Sequence, residues 1–127
     1  MNDHSSKRVL IIDDDEQLRA LLREILERAG FAVVEAANGV EGLRLFRGDP
    51  ADLVITDLIM PDKEGVETIL ELRREFPEAR IIAISGGGRN GCANYLPIAA
   101  RLGARRTLAK PFSRQEILDS VRETLTA

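Results

Sequence analysis

VLIIDDDEQLR, residues 9–19, carries the reading of the fold. Four aliphatic residues run without a polar break and then stop at Asp13, Asp14 and Asp15. A continuously apolar run is what a strand covered by helices on both faces requires. Four more β-like runs follow at 32–35, 53–56, 80–84 and 105–109, and LVI and IIAI within them are again wholly apolar. Each interval has room for one helix and two loops. Strands alternating with helix-length segments define βαβ units on a parallel sheet, an α/β fold.

The intervals read as helices in their own right. Leu18, Leu21, Leu22, Ile25 and Leu26 recur at the spacing of an amphipathic stripe. Gly30 stands where that helix needs a left-handed cap. Asn38 is the expected N-cap of a second helix through Leu43, Leu45 and Phe46, closed by Gly48 and Pro50. Val66, Ile69, Leu70 and Leu72 mark a third, which stops before Pro77. Pro97 is tolerated only in a first turn, so the fourth helix starts near Asn94 or Tyr95 and ends at Gly103. That leaves 85–93, SGGGRNGCA, as a long glycine-rich loop. Ile117, Leu118, Val121 and Leu125 mark the fifth helix, with Ser113 as its N-cap.

Composition narrows the function. A chain of 127 residues is one domain, and 44% hydrophobic with 31% charged residues can build a core. Lys and Arg number 18 against 21 Asp and Glu, a net charge of −3, which argues against a dedicated nucleic-acid binder. The apolar runs stop at four residues, far short of the roughly 18 needed to cross a bilayer. The opening MNDHSSKR lacks the apolar stretch of a signal peptide. One cysteine, Cys92, excludes an internal disulfide and a multi-cysteine zinc site. A cytoplasmic, membrane-free protein is the expectation.

Ligands of a parallel α/β sheet bind outside the carboxyl ends of its strands. There the first strand delivers Asp13, Asp14 and Asp15, the third Asp57, the fourth Ser85 and the fifth Lys110. Three acids around one crevice repel, by about 4 kcal/mol per pair at 4 Å and an effective dielectric near 20, unless a cation or protons intervene. Hard oxygen donors suit Mg²⁺. A divalent cation, a lysine and a hydroxyl together can stabilise a phosphoryl group, with Asp57 at the central strand end as nucleophile. Asp15 and Glu16 read as helix-start acids favoured by the helix dipole.

VLIIDDDEQLR (9–19), ITDLIMPDKEG (55–65), IIAIS (81–85) and AKPF (109–112) resemble, in order and spacing, the response-regulator receiver domain of two-component signalling. The likeness runs from about residue 7 to residue 125. It implies a flavodoxin-like (βα)5 fold, a doubly wound five-stranded parallel sheet in the order 2-1-3-4-5, with a disordered tail at 1–6 and no effector domain. It implies that Asp13 and Asp14 bind Mg²⁺, with Asp57 and the backbone carbonyl of Ile59 as further ligands. Asp57 would be the phosphoacceptor, and Ser85 and Lys110 would bind phosphoryl oxygens. The Lys110–Pro111 bond would be cis, and Met60, Pro61 and Gly65 would shape the turn after Asp57, with Gly65 supplying a permissive backbone.

The implied partners are a sensor histidine kinase or histidine phosphotransfer protein and a downstream protein target, met through the fourth-helix to fifth-helix face. Arg101, Arg105, Arg106 and Arg114 lie on that side as either a docking patch or a solvated face. The implied role is a switch and not an enzyme acting on a separate substrate. A phosphorelay intermediate is the alternative. An aspartate-nucleophile phosphatase is disfavoured, because Ile59 stands where its second acid belongs. The pattern departs at Thr107, where most receivers carry Tyr or Phe, and the Gly86, Gly87 and Gly88 run after Ser85 is the expected switching element instead.

Ile59 and Gly87, two residues past Asp57 and Ser85, are expected to set water access to the phosphoryl group. A polar, water-orienting residue at either position should shorten the aspartyl-phosphate lifetime, measured as decay of the phosphorylated protein; unchanged decay in both variants would contradict this.

Overall fold

A computed structural model of the chain describes residues 7–58, 64–85, 100, 101 and 103–126. Strands β1 (Arg8–Ile12), β2 (Ala32–Ala36), β3 (Leu53–Asp57), β4 (Ile81–Ser85) and β5 (Arg106–Ala109) form one parallel sheet in the order β2-β1-β3-β4-β5. Its described helices are α1 (Glu16–Arg28), α2 (Gly39–Gly48), α3 (Glu64–Glu75) and the C-terminal α4 (Arg114–Thr126), which is the helix the sequence numbers fifth. Most of the expected fourth helix lies outside the described residues, as do the tail at 1–6, His4 and Cys92. Residues 100 and 101 are helical, and Gly103, where the sequence ends that helix, has φ +118°.

The apolar strands bury two separate faces. Val9 and Ile11 of β1 pack with Leu22, Ile25 and Leu26 of α1 and with Ile117 and Val121 of α4. Leu10 and Ile12 pack on the other side with Leu43 and Phe46 of α2 and Ile69 and Leu72 of α3. Alternate side chains of one strand therefore meet different helix layers, which is why VLII needs no polar member. Leu21 and Leu70 depart from the expected stripes and lie exposed, at 50% and 41%. Each stands at the margin of its helix's apolar arc; Leu70 is about 100° round the axis from buried Ile69.

Local signals fix the helix ends. The Asp15 carboxylate caps α1 by accepting from the N–H groups of Gln17 and Leu18, so this acid is an N-cap and not a first-turn residue. Gly30 ends that helix at φ 101°, with its N–H on the Glu27 carbonyl and the Phe31 N–H on the Leu26 carbonyl, a Schellman closure. Asn38 caps α2 through the Glu41 N–H at 2.8 Å. Ser113 and Glu116 cap α4 reciprocally, at 3.0 and 2.7 Å. Such caps contribute about 1 kcal/mol each and fix where the strand-to-helix loops turn.

Strands β3 and β4 reach one residue further than the apolar pattern, taking in Asp57 and Ser85. Hydropathy stops at a polar side chain, whereas the backbone ladder does not: Leu58 N–H still donates to Ile84 and Lys110 N–H to Ser85, both at 2.8 Å.

The Thr124 hydroxyl of α4 is buried with no hydrogen-bond partner among the described residues. The isosteric Thr124→Val should raise stability by about 1 kcal/mol, since it removes an unsatisfied polar group at nearly constant volume. A urea melt with a higher midpoint and unchanged slope would show it; a lower midpoint would contradict it.

Candidate functional site

The register sets four strand ends in a row. Ile12 pairs with Thr56, Asp57 with Ile84, and Ser85 with Ala109. Asp13 therefore leaves β1 beside the end of β3, and Lys110 leaves β5 beside the end of β4. Asp13, Asp14 and Asp57 each offer a carboxylate oxygen, and these oxygens lie within 4.8 Å of one another. Asp13 and Asp57 are only 2% and 5% exposed, and Ser85 is fully buried. Asp14 is exposed and Lys110 half-buried.

Asp13 is held at three atoms. Its N–H donates to the Ala36 carbonyl at 3.1 Å, extending the ladder to β2. Its carboxylate accepts from the Asp15 N–H at 2.8 Å, and its carbonyl accepts from the Arg19 guanidinium at 2.7 Å. Burial pushes its carboxyl up to about 6 from an ordinary 3.8. The Asp15 N–H opposes this, the charges of Asp57 and Asp14 add to it, and Lys110 partly offsets it. Lys110 thus acts electrostatically on the acidic cluster.

Gly65 belongs to the site for a different reason from the permissive backbone expected of it. It lies outside the left-handed region, but a Cβ there would stand 2.2 Å from the Asp57 carbonyl and 2.6 Å from the Leu58 Cα. The start of α3 presses against the strand end that carries Asp57, and only glycine leaves the space. Thr107 is half-buried on β5, opposite Ala83. The Lys110–Pro111 peptide is cis. Ile59, Met60 and Pro61 lie outside the described residues, as do Gly86, Gly87 and Gly88. Arg106 pairs with Glu123, and Arg101, Arg105 and Arg114 are exposed.

A cleft of about 210 Å³ lies at the opposite end of the sheet, between Arg8, Val34, Phe46 and Asp49. Of its charged groups, Arg8 and Asp49 pair with each other and Arg44 pairs with Glu41. The carboxyl end instead gathers three acids whose carboxylate oxygens lie within 4.8 Å of one another.

Glu35 of β2 is not among the residues the sequence singles out. In the structure its carboxylate binds both Arg19 and Arg23, at 3.0 and 2.7 Å, and the Arg23 guanidinium foremost holds it below the usual carboxylate range. The available signal was spacing: Arg19 and Arg23 are four apart on one helix face, next to the strand that ends in Glu35.

A parallel sheet in this order, with three acids, a hydroxyl and a lysine at its carboxyl edge, defines an α/β domain whose acidic cluster could hold a metal ion. Residues 9–122 match the family model described as the response regulator receiver domain, and the chain belongs to that family. It is 35% identical to the chemotaxis protein CheY of Halobacterium salinarum, over 96% of this chain and 99% of that one. It is 34% identical to a segment of the sensor kinase CckA of Brucella abortus, over 94% of this chain and 13% of CckA. Among solved structures it is similar to the response regulator TrrA of Thermotoga maritima, determined in complex with Mg(2+)-BeF: TM-score 0.81, 31% identity, covering 93% of this chain and 98% of that one. Receiver domains are signalling switches that interact with histidine kinases or phosphotransfer proteins and generally use Mg²⁺. No described helix is long and apolar enough to cross a membrane.

The raised Asp13 carboxyl gives stability a definite pH dependence. The folded state binds this proton more tightly than the unfolded chain, so the stabilisation is full below about pH 4 and lost as pH rises through about 6. A shift of this size corresponds to about 3 kcal/mol. In chelator, Asp13→Asn should therefore match wild type near pH 4 and exceed it by about 2 to 3 kcal/mol at pH 7. If the cluster holds a divalent cation, adding it should narrow the difference by stabilising wild type alone. Parallel stability curves for the two proteins across this range would contradict it.

Proposed function

We propose that the chain is a receiver whose Asp57 accepts a phosphoryl group in a Mg²⁺-dependent step, and that its output runs through protein contacts. The convergence of the Asp13, Asp14 and Asp57 oxygens within 4.8 Å, beside Ser85 and Lys110, carries this reading. The donor set fits the metal: all hard oxygen, with a buried carboxylate whose charge a cation would offset. Asp13 and Asp14 would hold the ion, with Asp57 and the Ile59 carbonyl completing its protein ligands. Bound there, Mg²⁺ would neutralise charge on the acids and on the entering phosphoryl oxygens.

Asp57 would attack the phosphorus of a phosphohistidine on a sensor kinase or phosphotransfer protein. An O–P bond forms, the N–P bond breaks, and the imidazole leaves carrying a proton. Lys110 and the Ser85 hydroxyl would each take a phosphoryl oxygen, so acceleration comes from positioning and charge neutralisation. Output would pass through the 85–94 loop and the face between the expected fourth helix and α4, because Thr107 has no ring to swing. Near-complete coverage of a chemotaxis regulator supports a stand-alone module in the cytoplasm. Likeness to a segment of a sensor kinase supports a second reading, a relay passing the group on to a histidine phosphotransferase.

Intact mass after incubation with a small phosphodonor tests the chemistry. A single phosphoryl adduct should form in wild type with Mg²⁺, and none in chelator or in Asp57→Asn. Amide exchange on the adduct should change across 85–94. An adduct that survives Asp57→Asn would refute the assignment, and phosphate transfer from the adduct to a histidine phosphotransferase would select the relay.

A further inference from the structure

Asp13 lies in a closed circuit of interactions that reaches no ligand. Arg19, one turn into α1, donates one guanidinium nitrogen to the Asp13 carbonyl at 2.7 Å and its Nε to Glu35 Oε1 at 3.0 Å. Glu35 sits on β2 immediately before Ala36, whose carbonyl receives the Asp13 N–H. Arg23 holds the second Glu35 oxygen at 2.7 Å. The Arg19 side chain is only 15% exposed and that of Glu35 25%. The peptide units on both sides of the Asp13 side chain are thereby tied, one to the end of β2 and one to α1. Asp13 and Asp14 follow β1 directly, and without these ties the Asp13 backbone would be free to let the like-charged carboxylates move apart.

We propose that Arg19 and Glu35 are positioning residues for the acidic cluster, fixing the Asp13 backbone so that the cluster is preorganised for its cation. The inference rests on the metal-binding reading of Asp13, Asp14 and Asp57. Two effects of Arg19 on cation affinity have opposite signs. Through space, its positive charge opposes a cation, so deleting it would tighten binding. Through the Asp13 carbonyl, it holds donors that otherwise splay apart at a cost paid on binding, so deleting it would weaken binding. The half-buried two-point geometry makes the second effect the larger, because the Arg19 charge is already paired with Glu35.

Isothermal titration with Mg²⁺ alone separates the two. Wild type should bind saturably and Asp13→Asn should not; if wild type shows no saturable binding, the metal reading falls and this inference with it. Given wild-type binding, Arg19→Met should raise the dissociation constant about tenfold. Arg19→Lys, which keeps the charge but not the planar fork, should raise it several-fold. In the metal-free state the Asp15 amide, which donates to the Asp13 carboxylate, should lose exchange protection in both variants relative to wild type. Unchanged or tighter Mg²⁺ binding by folded Arg19→Met would overturn the proposal. If that variant does not unfold cooperatively, Arg19→Lys decides alone, and wild-type affinity in it would overturn the proposal equally.

Discussion

Three carboxylate oxygens held within 4.8 Å of one another are the constraint around which the rest of this molecule is arranged. At an effective dielectric near 20 each fully ionised pair at that distance repels by about 3 kcal/mol, a sizeable part of the stability of a domain of this size. A flexible chain would relieve the repulsion by moving the acids apart. Here that movement is limited, because β1 and β3 are adjacent parallel strands buried on both faces and their ends are in register. Burial foremost, and the neighbouring acids after it, push the Asp13 carboxyl up, while the cost is offset partly by the charge of Lys110 from the end of β5. A divalent cation would meet it more completely.

The same constraint accounts for features that look purely structural. The Asp15 cap starts α1 at Glu16, three residues past Asp13; the Asp13 carboxylate accepts the Asp15 N–H, and the Asp15 carboxylate accepts the Gln17 and Leu18 N–H groups of the helix's first turn. Gly65 lets α3 begin against the Asp57 carbonyl, so the strand end cannot retreat from the cluster on that side. Gly42 brings α2 against Ile12, the last residue of β1, where a Cβ would lie 2.4 Å from the Ile12 side chain. Each helix start thus buttresses the end of the strand it follows or crosses.

The fold was legible in the sequence because its signals are local and redundant. Continuous apolarity marks doubly covered strands, and Gly30, Asn38 and Ser113 mark helix ends through backbone chemistry that acts over a few residues. The acids, the hydroxyl and the lysine were legible because a parallel sheet gathers its strand ends. Other features depended on three-dimensional relations that no local pattern records. Leu21 and Leu70 are apolar residues at the edges of helical stripes, and only packing decides which side of the edge is covered. Gly65 reads as a flexible turn residue, yet it is needed for a close approach between α3 and β3. Glu35 reads as a surface acid, because its arginine partners lie on a different element.

Thr107 shows how the proposed switch would have to work in this chain. Paired parallel residues share a face, so Thr107 lies with Ala83 on the side of the sheet that carries Leu58 and Ile69, while Leu108 packs on the other. Two small residues side by side give this face little side-chain bulk to rearrange. A threonine can rotate a methyl and a hydroxyl, which displaces far less volume than an aromatic ring. Coupling between the phosphoryl site and the surface must then run through the backbone. One such link is present: the Lys110 N–H is bonded to the Ser85 carbonyl, so a pull on the Lys110 or Ser85 side chain is felt at the other residue's peptide. Beyond Ser85 the sequence continues with three glycines, the residue type with the widest choice of backbone conformation. In the proposed switch the missing ring and the glycine run belong together: a change that the Thr107 side chain does not carry would fall to the backbone.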